Sequence, residues 1–179
     1  MNLVIRPATP EDASKIASFN VALARETEQR TLNRRLVGVG VRTLLGEPKH
    51  GFYIVADNGK KIVGMAMITF EWSDWLNRQW WWLQSVYVDP AMRRQGVFSK
   101  IHGYIQEMAE RQGNVAGIRL YVEKENRAAL RSYRKLGLQP KSYRFLENPL
   151  PVKKAAPKKN DPPQPEVLAF DKHRNVRRI

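Results

Sequence analysis

Hydrophobic and polar positions alternate along the chain in segments of clear period. Leu3 to Arg6 reads as a short strand ended by Pro7. Thr9-Pro10-Glu11-Asp12 then reads as a helix start, with Thr9 as cap and Pro10 at the first helical position. Ala13, Ile16, Ala17, Leu23 and Ala24 keep the three-and-four spacing of one buried face, which predicts a helix to about Arg25. A second helix is predicted over Leu32 to Leu45. Phe52 to Ala56 and Ile62 to Phe70 read as strands joined by the turn Asp57-Asn58-Gly59-Lys60, a strong hairpin signal. Trp80 to Val88 is a further strand, closed by Pro90, and its alternation puts Trp80 and Trp82 on one face and Trp81 on the other. At least one of those faces belongs to a core. From Gln95 to Gln112 the apolar positions Val97, Ile101, Ile105, Met108 and Ala109 return to helical spacing. Ile118 to Val122 is another strand, Arg127 to Leu136 a helix ended by Gly137, and Tyr143 to Leu146 a candidate last strand. The order is β-α-α-β-β-β-α-β-α with no internal repeat. Hairpins first and a β-α-β-α unit last argue one α/β or α+β sheet with helices on both faces.

Composition shifts once, near residue 148, where Pro149, Pro151, Pro157, Pro162, Pro163 and Pro165 alternate with Lys153, Lys154, Lys158 and Lys159. Such chain favours extended, solvated conformations, so a single domain over 1–147 is expected, followed by a Pro/Lys-rich tail over 148–179. Whether Glu166 to Phe170 adds a strand is left open by the pattern. The whole chain of 179 residues carries a formal charge of +14. Residues 151–179 hold 8 basic and 3 acidic residues, which leaves 23 against 14 on residues 1–150, so the domain is basic in its own right. A field of that sign attracts phosphorylated ligands, nucleic acid or anionic membrane. The absence of Cys excludes a disulfide scaffold, a thiol nucleophile and a thiolate zinc site, and three scattered His make a poor ligand set. No metal is expected. Neither a signal peptide nor a membrane span is legible, so the expectation is a soluble cytoplasmic protein with no membrane partner.

Two segments carry chemistry. In Val86-Tyr87-Val88-Asp89-Pro90-Ala91-Met92-Arg93-Arg94-Gln95-Gly96-Val97-Phe98-Ser99 a strand runs into a turn and a helix opens at once. The first amides of such a helix lack internal partners and sit at the positive end of the dipole, where they can ring a phosphate. Gly96 lets that anion approach the backbone; a solvated turn is the plainer reading. In the second segment Ala129, Tyr133 and Leu136 lie on one helical stripe, with Asn126 at the helix start. Asn126 as a simple N-cap, Tyr133 as a core aromatic and Gly137 as the left-handed terminator account for these residues equally well.

Taken together and in this order, the two segments resemble the GCN5-related N-acetyltransferase (GNAT) superfamily. Its signature Arg/Gln-x-x-Gly-x-Gly/Ala after a Val-x-Pro strand end matches Val88-Asp89-Pro90 and Arg93 to Phe98. Its later Asn-x-x-Ala-x-x-x-Tyr-x-x-x-Gly matches Asn126, Ala129, Tyr133 and Gly137. The resemblance covers roughly Leu3 to Glu147. It implies an α/β (α+β) fold with a central mixed, mostly antiparallel sheet flanked by helices, and acetyl-CoA as co-substrate. Val86, Tyr87 and Val88 would offer backbone groups to the acetyl and pantetheine amides. Arg93 begins the signature, and Arg94, Gln95, Gly96, Val97, Phe98 and Ser99 would supply the pyrophosphate cradle. Asn126 would hydrogen-bond the pantetheine arm, and Tyr133 would be the acid that protonates the departing thiolate. Two departures stand out: Phe98 replaces the usual small residue, and Tyr121 stands where some members carry a catalytic Glu.

The implied activity is transfer of an acetyl group to a primary amine, which must be neutral to attack. A lysine-like amine is neutral less than about once in a thousand at pH 7. Carboxylates outside the motifs are Glu26 and Glu28 at the end of the first helix, and Glu71 and Asp74 after the third strand. Glu71, beside Trp72, Trp75 and Trp80-Trp81-Trp82, would be poorly solvated and is the candidate general base; Glu26, Glu28 and Asp74 are candidate acceptor ligands. The acceptor, a small molecule or protein amine, is not named by the sequence, and a homodimer is compatible with it. Two rival classes are a non-catalytic acyl-CoA-binding module and a basic nucleic-acid-binding protein, the latter weakened by the core face of the tryptophan strand.

Overall fold

The computed structural model describes residues 3–150. One compact unit reaches Pro140. Of the tail expected over 148–179, all beyond Leu150, including the candidate strand at Glu166 to Phe170, lies outside the described residues.

Five strands, β1 (Val4–Pro7), β2 (Phe52–Asp57), β3 (Ile62–Ser73), β4 (Arg78–Val88) and β5 (Val115–Arg119), form one sheet in chain order. The first four pair antiparallel and β5 joins β4 in parallel, the mixed, mostly antiparallel sheet expected. The helices are α1 (Ala13–Glu28), α2 (Arg34–Gly46), α3 (Val97–Gln112) and α4 (Arg127–Lys135). Local chemistry explains their starts. Pro10–Asp12 is one 3-10 turn, entered as the Thr9 N–H donates to the Asp12 carboxylate at 2.8 Å. Arg6 donates to both oxygens of Asp12 at 2.7 and 3.1 Å and to Asp57 at 3.1 Å, fastening this helix entry to β1 and to the hairpin. Asn33 caps α2 by accepting from the Leu36 amide at 3.1 Å.

The two faces of the sheet bury different cores. Ile54, Val63, Ile68, Trp81 and Leu83 pack under α3 with its Ile101 and Ile105. Tyr53, Val55, Met65 and Tyr87 pack with Ile16 and Phe19 of α1 and Val41 of α2. Gly64 allows α3 its close approach, since a Cβ there would stand 3.0 Å from Val97 and 3.3 Å from Ile101.

A bulge divides β4. Met65 faces Tyr87 while Met67 faces Gln84, so β4 spends one residue more than β3 between the two pairs. Ser85 absorbs it with φ +49°. Trp81 and Leu83 point toward α3 before the bulge, and Val86 and Val88 after it; Tyr87 turns to the α1 side.

Three sequence expectations are corrected. The fifth strand is Val115–Arg119, not Ile118 to Val122, because its ladder runs from Gln79↔Val115 to Trp82↔Arg119 and the strands part there. Tyr143 to Leu146 is irregular chain, without the ladder that makes an alternating segment a strand. The first helix runs one turn past Arg25, to Glu28, where Gln29 ends it at φ +53°.

His102 on α3 is buried, 5% exposed, and desolvation pushes its pKa below the usual 6.5. The unfolded chain therefore binds a proton that the folded chain resists. Stability should fall as pH drops from about 6.5 toward 5, by at most about 1.4 kcal/mol per pH unit. Denaturant titrations of the wild type and His102→Leu should diverge over that window; parallel curves would refute the assignment. Among the described residues no helix is long and apolar enough to cross a membrane.

Candidate functional site

Beyond Trp82, β4 continues to Val88 with no β5 partner, so the backbone of Val86, Tyr87 and Val88 faces a gap between parted strands. At its end lies the turn 93–96, in which Arg94 (φ +62°) and Gly96 (φ +75°) are left-handed. The first bond into α3 runs from the Lys100 N–H to the Gly96 carbonyl at 3.1 Å. The amides of Val97, Phe98 and Ser99 precede it and have no acceptor inside the helix. Apart from its own chain neighbours, nothing in the protein lies within 4 Å of where a Gly96 Cβ would stand, so no other element covers the approach to these amides. Gln95 braces the turn by donating to the Ala91 carbonyl at 3.0 Å, and Arg94 is exposed. The arrangement suits a diphosphate at the turn and an amide-bearing arm along β4.

Arg93 has a different place. Its Nε donates to the Val88 carbonyl at 3.0 Å and its Nη2 to Glu26 at 2.6 Å, with the guanidinium 5.4 Å from the Tyr87 ring. The Tyr87 hydroxyl donates to the other Glu26 oxygen at 2.7 Å. Burial pushes Glu26 up, but these two hydrogen bonds outweigh it and hold the carboxyl below its usual range. Burial, reinforced by the bond to Glu26, pushes Tyr87 up to about 12. Glu26 thus ties the end of α1 to the strand and turn.

At α4 the Asn126 Oδ1 accepts from the Ala129 amide at 3.1 Å, a capping bond. Tyr133 is half-buried, and burial pushes its pKa above the usual 10. Its ring meets Phe98 edge-on, centroids 5.5 Å apart at 76°. The bulk of Phe98 therefore goes toward α4, where it seats Tyr133.

On the α1/α2 side, Glu71 lies within β3 rather than after it. One of its oxygens accepts from the Trp82 indole N–H, the other from Arg119 at 2.8 Å. Arg119 lies 3.8 Å from the Trp80 ring centroid, and Tyr121 stacks on Trp82 at 4.4 Å. Asp74 sits on the exposed β3–β4 turn. Glu28 is 3.4 Å from Arg30 and borders a cavity of about 450 Å³ between α1, α2 and the sheet. That cavity reaches Ser85, so one wall is the bulge of β4. The structure brings Glu28 to this cavity; it gives Glu26 to the turn and Glu71 to an ion pair. Arg119, Ser85 and Tyr53 escaped the sequence reading. Only the shift from odd to even apolar positions, Trp81 and Leu83 to Val86 and Val88, signals the bulge. Among the described residues no group of three or more His, Asp or Glu could hold a metal ion.

Comparison with known proteins shows the family and the fold. The profile of the Acetyltransferase (GNAT) family matches residues 16–138. A Bos taurus thialysine N-epsilon-acetyltransferase is 36% identical over 81 residues, 45% of this chain and 46% of that protein, so the match spans about half the relative's length. A crystal structure of a possible acetyltransferase from Clostridium difficile 630 is 39% identical with a TM-score of 0.78, covering 84% of this chain and 99% of that one. A predicted acetyltransferase from Clostridium acetobutylicum, crystallised with acetyl-CoA, shares the fold at 19% identity and a TM-score of 0.67, covering 82% of this chain and 96% of that one.

Proposed function

The chain belongs to the GNAT acetyltransferase family, and from that premise we propose that it transfers the acetyl group of acetyl-CoA to a primary amine of a small molecule. The observation that carries this reading is the parting of β4 from β5 beyond Trp82, next to the open amides of the turn into α3. In this reading Val86, Tyr87 and Val88 hold the acyl-bearing arm by backbone hydrogen bonds. Gly96, Val97, Phe98 and Ser99 receive the diphosphate, with Arg94 adding charge from the exposed turn. Gln95 and Arg93 hold the turn in shape, Arg93 through Glu26 and the Val88 carbonyl. Asn126 reaches the arm with the amide that its cap leaves over.

Acetyl-CoA supplies an activated thioester carbonyl. The neutral amine attacks that carbon, the C–N bond forms and the C–S bond breaks; the nitrogen gives its proton to water, and the departing thiolate takes one from water, leaving the amide and the free thiol. Tyr133 donates a hydrogen bond to the sulfur. A thiol has pKa about 8.5 and a phenol about 10, so complete transfer from Tyr133 is uphill and the hydroxyl acts mainly by stabilising negative charge as it builds. Both oxygens of Glu71 are engaged, which leaves Glu28 as the carboxylate that borders the acceptor cavity. The bovine relative, named for acetylating the Nε amine of thialysine, supports a primary alkylamine as acceptor.

The test incubates the full chain with acetyl-CoA and a panel of amines, reading both free thiol and acetylated product by mass spectrometry. Thiol release that depends on the amine is the expected result. Cofactor binding with no acetylated amine would instead establish a non-catalytic acyl-CoA module.

A further inference from the structure

The acceptor cavity is bounded by α1, α2 and the sheet, and its walls differ sharply from its rim. Leu23, Val37, Val41, Leu44 and Met67 line it. Val41 is 2% exposed, and Tyr53 beside it is 4% exposed with its hydroxyl bonded to Asn20. The charged groups lie at the rim: the side chains of Glu28 and Arg30 are 58% and 70% exposed and neutralise one another. The same pairing holds around it, since Glu26 is matched to Arg93 and Glu71 to Arg119. Asp74 is out on the β3–β4 turn. Of the four carboxylates that the sequence suggested for catalysis or as counter-charges for a cationic acceptor, three are therefore paired with arginine and the fourth, Asp74, is not among the residues lining the cavity.

From this we infer that the acceptor is a monoamine carried on an apolar body, an alkyl or arylalkyl amine, recognised by hydrophobic contact in the cavity under α2. The inference rests on the acetyl-transfer reading above and names its substrate class. The amine enters as the free base and meets the acyl carbon near Ser85, while its apolar body lies against Val41 and Leu44. A volume of about 450 Å³ falls within the range of small-molecule sites, roughly 300–1,000 Å³. A second ammonium on the acceptor loses hydration in the cavity and finds Glu28 taken by Arg30, so it weakens binding.

The experiment measures kcat/KM at about pH 9, where about 4% of an alkylamine with pKa about 10.4 is present as the free base. The acceptors are straight-chain monoamines from propylamine to heptylamine, with the matching diamines. Each added methylene should raise kcat/KM by roughly fourfold until the cavity is full. Hexylamine should exceed its diamine by more than tenfold. Gly40→Phe provides the structural arm: Gly40 lines the cavity on α2, and a Cβ there meets nothing within 4 Å. This variant should keep the acetyl-CoA thermal shift and lose the dependence on chain length. Preference for diamines, or no dependence on length in the wild type, overturns the inference while leaving acetyl transfer intact. Failure to acetylate any amine overturns the acetyl-transfer reading and this one with it.

Discussion

Gly96→Glu should abolish acetyl-CoA binding. With ligand at a hundred times its Kd, the wild type gains about 2.7 kcal/mol of stability, which for a domain of this size raises Tm by roughly 5–10 °C. The variant should show no rise, because its carboxylate stands among the open amides of Val97, Phe98 and Ser99 and repels the diphosphate. Any non-glycine residue at φ +75° also strains the backbone, so the ligand-free Tm will fall. Gly113 separates the two effects. It has the same φ of +75° and the same open space, but ends α3 instead of starting it. Gly113→Glu should lose comparable stability and keep the full acetyl-CoA shift. An equal shift in both variants would remove the turn from cofactor binding.

Tyr133→Phe should bind acetyl-CoA nearly as the wild type does and lose roughly 10²-fold in kcat, the low end for one hydrogen-bond donor aimed at a developing negative charge. The substitution keeps the ring on Phe98 and removes only the hydroxyl, so packing is preserved. Because burial raises the pKa of Tyr133, its proton is held through the whole neutral and mildly alkaline range. The loss should accordingly be uniform from pH 7 to 9 rather than confined to one limb of the profile. Lost cofactor binding with an undiminished kcat would make the side chain a packing element.

How much of this was legible in the sequence differs from element to element. Trp81 and the turn at Asp57 to Lys60 were readable because strand alternation and turn chemistry act within a few residues. Trp81 is 1% exposed, and Gly59 of the turn sits at φ +84° with Asn58 accepting from Lys60 and Lys61. The turn into α3 and the cap at Asn126 were readable for the same reason. The carboxylates were not. Glu26 is bonded to a residue 67 positions away and Glu71 to one 48 positions away. Such partners depend on the register of β4 and β5, which local pattern does not contain. The fifth strand was misplaced because Leu120 and Val122 continue an alternation that no longer has a ladder beside it.

The bulge at Ser85 also constrains how β4 can change length. Side chains repeat every two residues along a strand, and contacts pin both parts of this one: Trp82 to Glu71 before the bulge, Tyr87 to Glu26 after it. A single insertion between Trp82 and Tyr87 would widen the bulge or turn one part over, exposing Val86 and Val88 or driving Trp80 and Trp82 under α3, whereas deletion of Ser85 would leave Trp81, Leu83, Val86 and Val88 in plain alternation on the face they already share. The extra residue therefore sets the bend of β4 rather than the facing of its side chains, and a chain one residue shorter there would keep both cores and lose the bend.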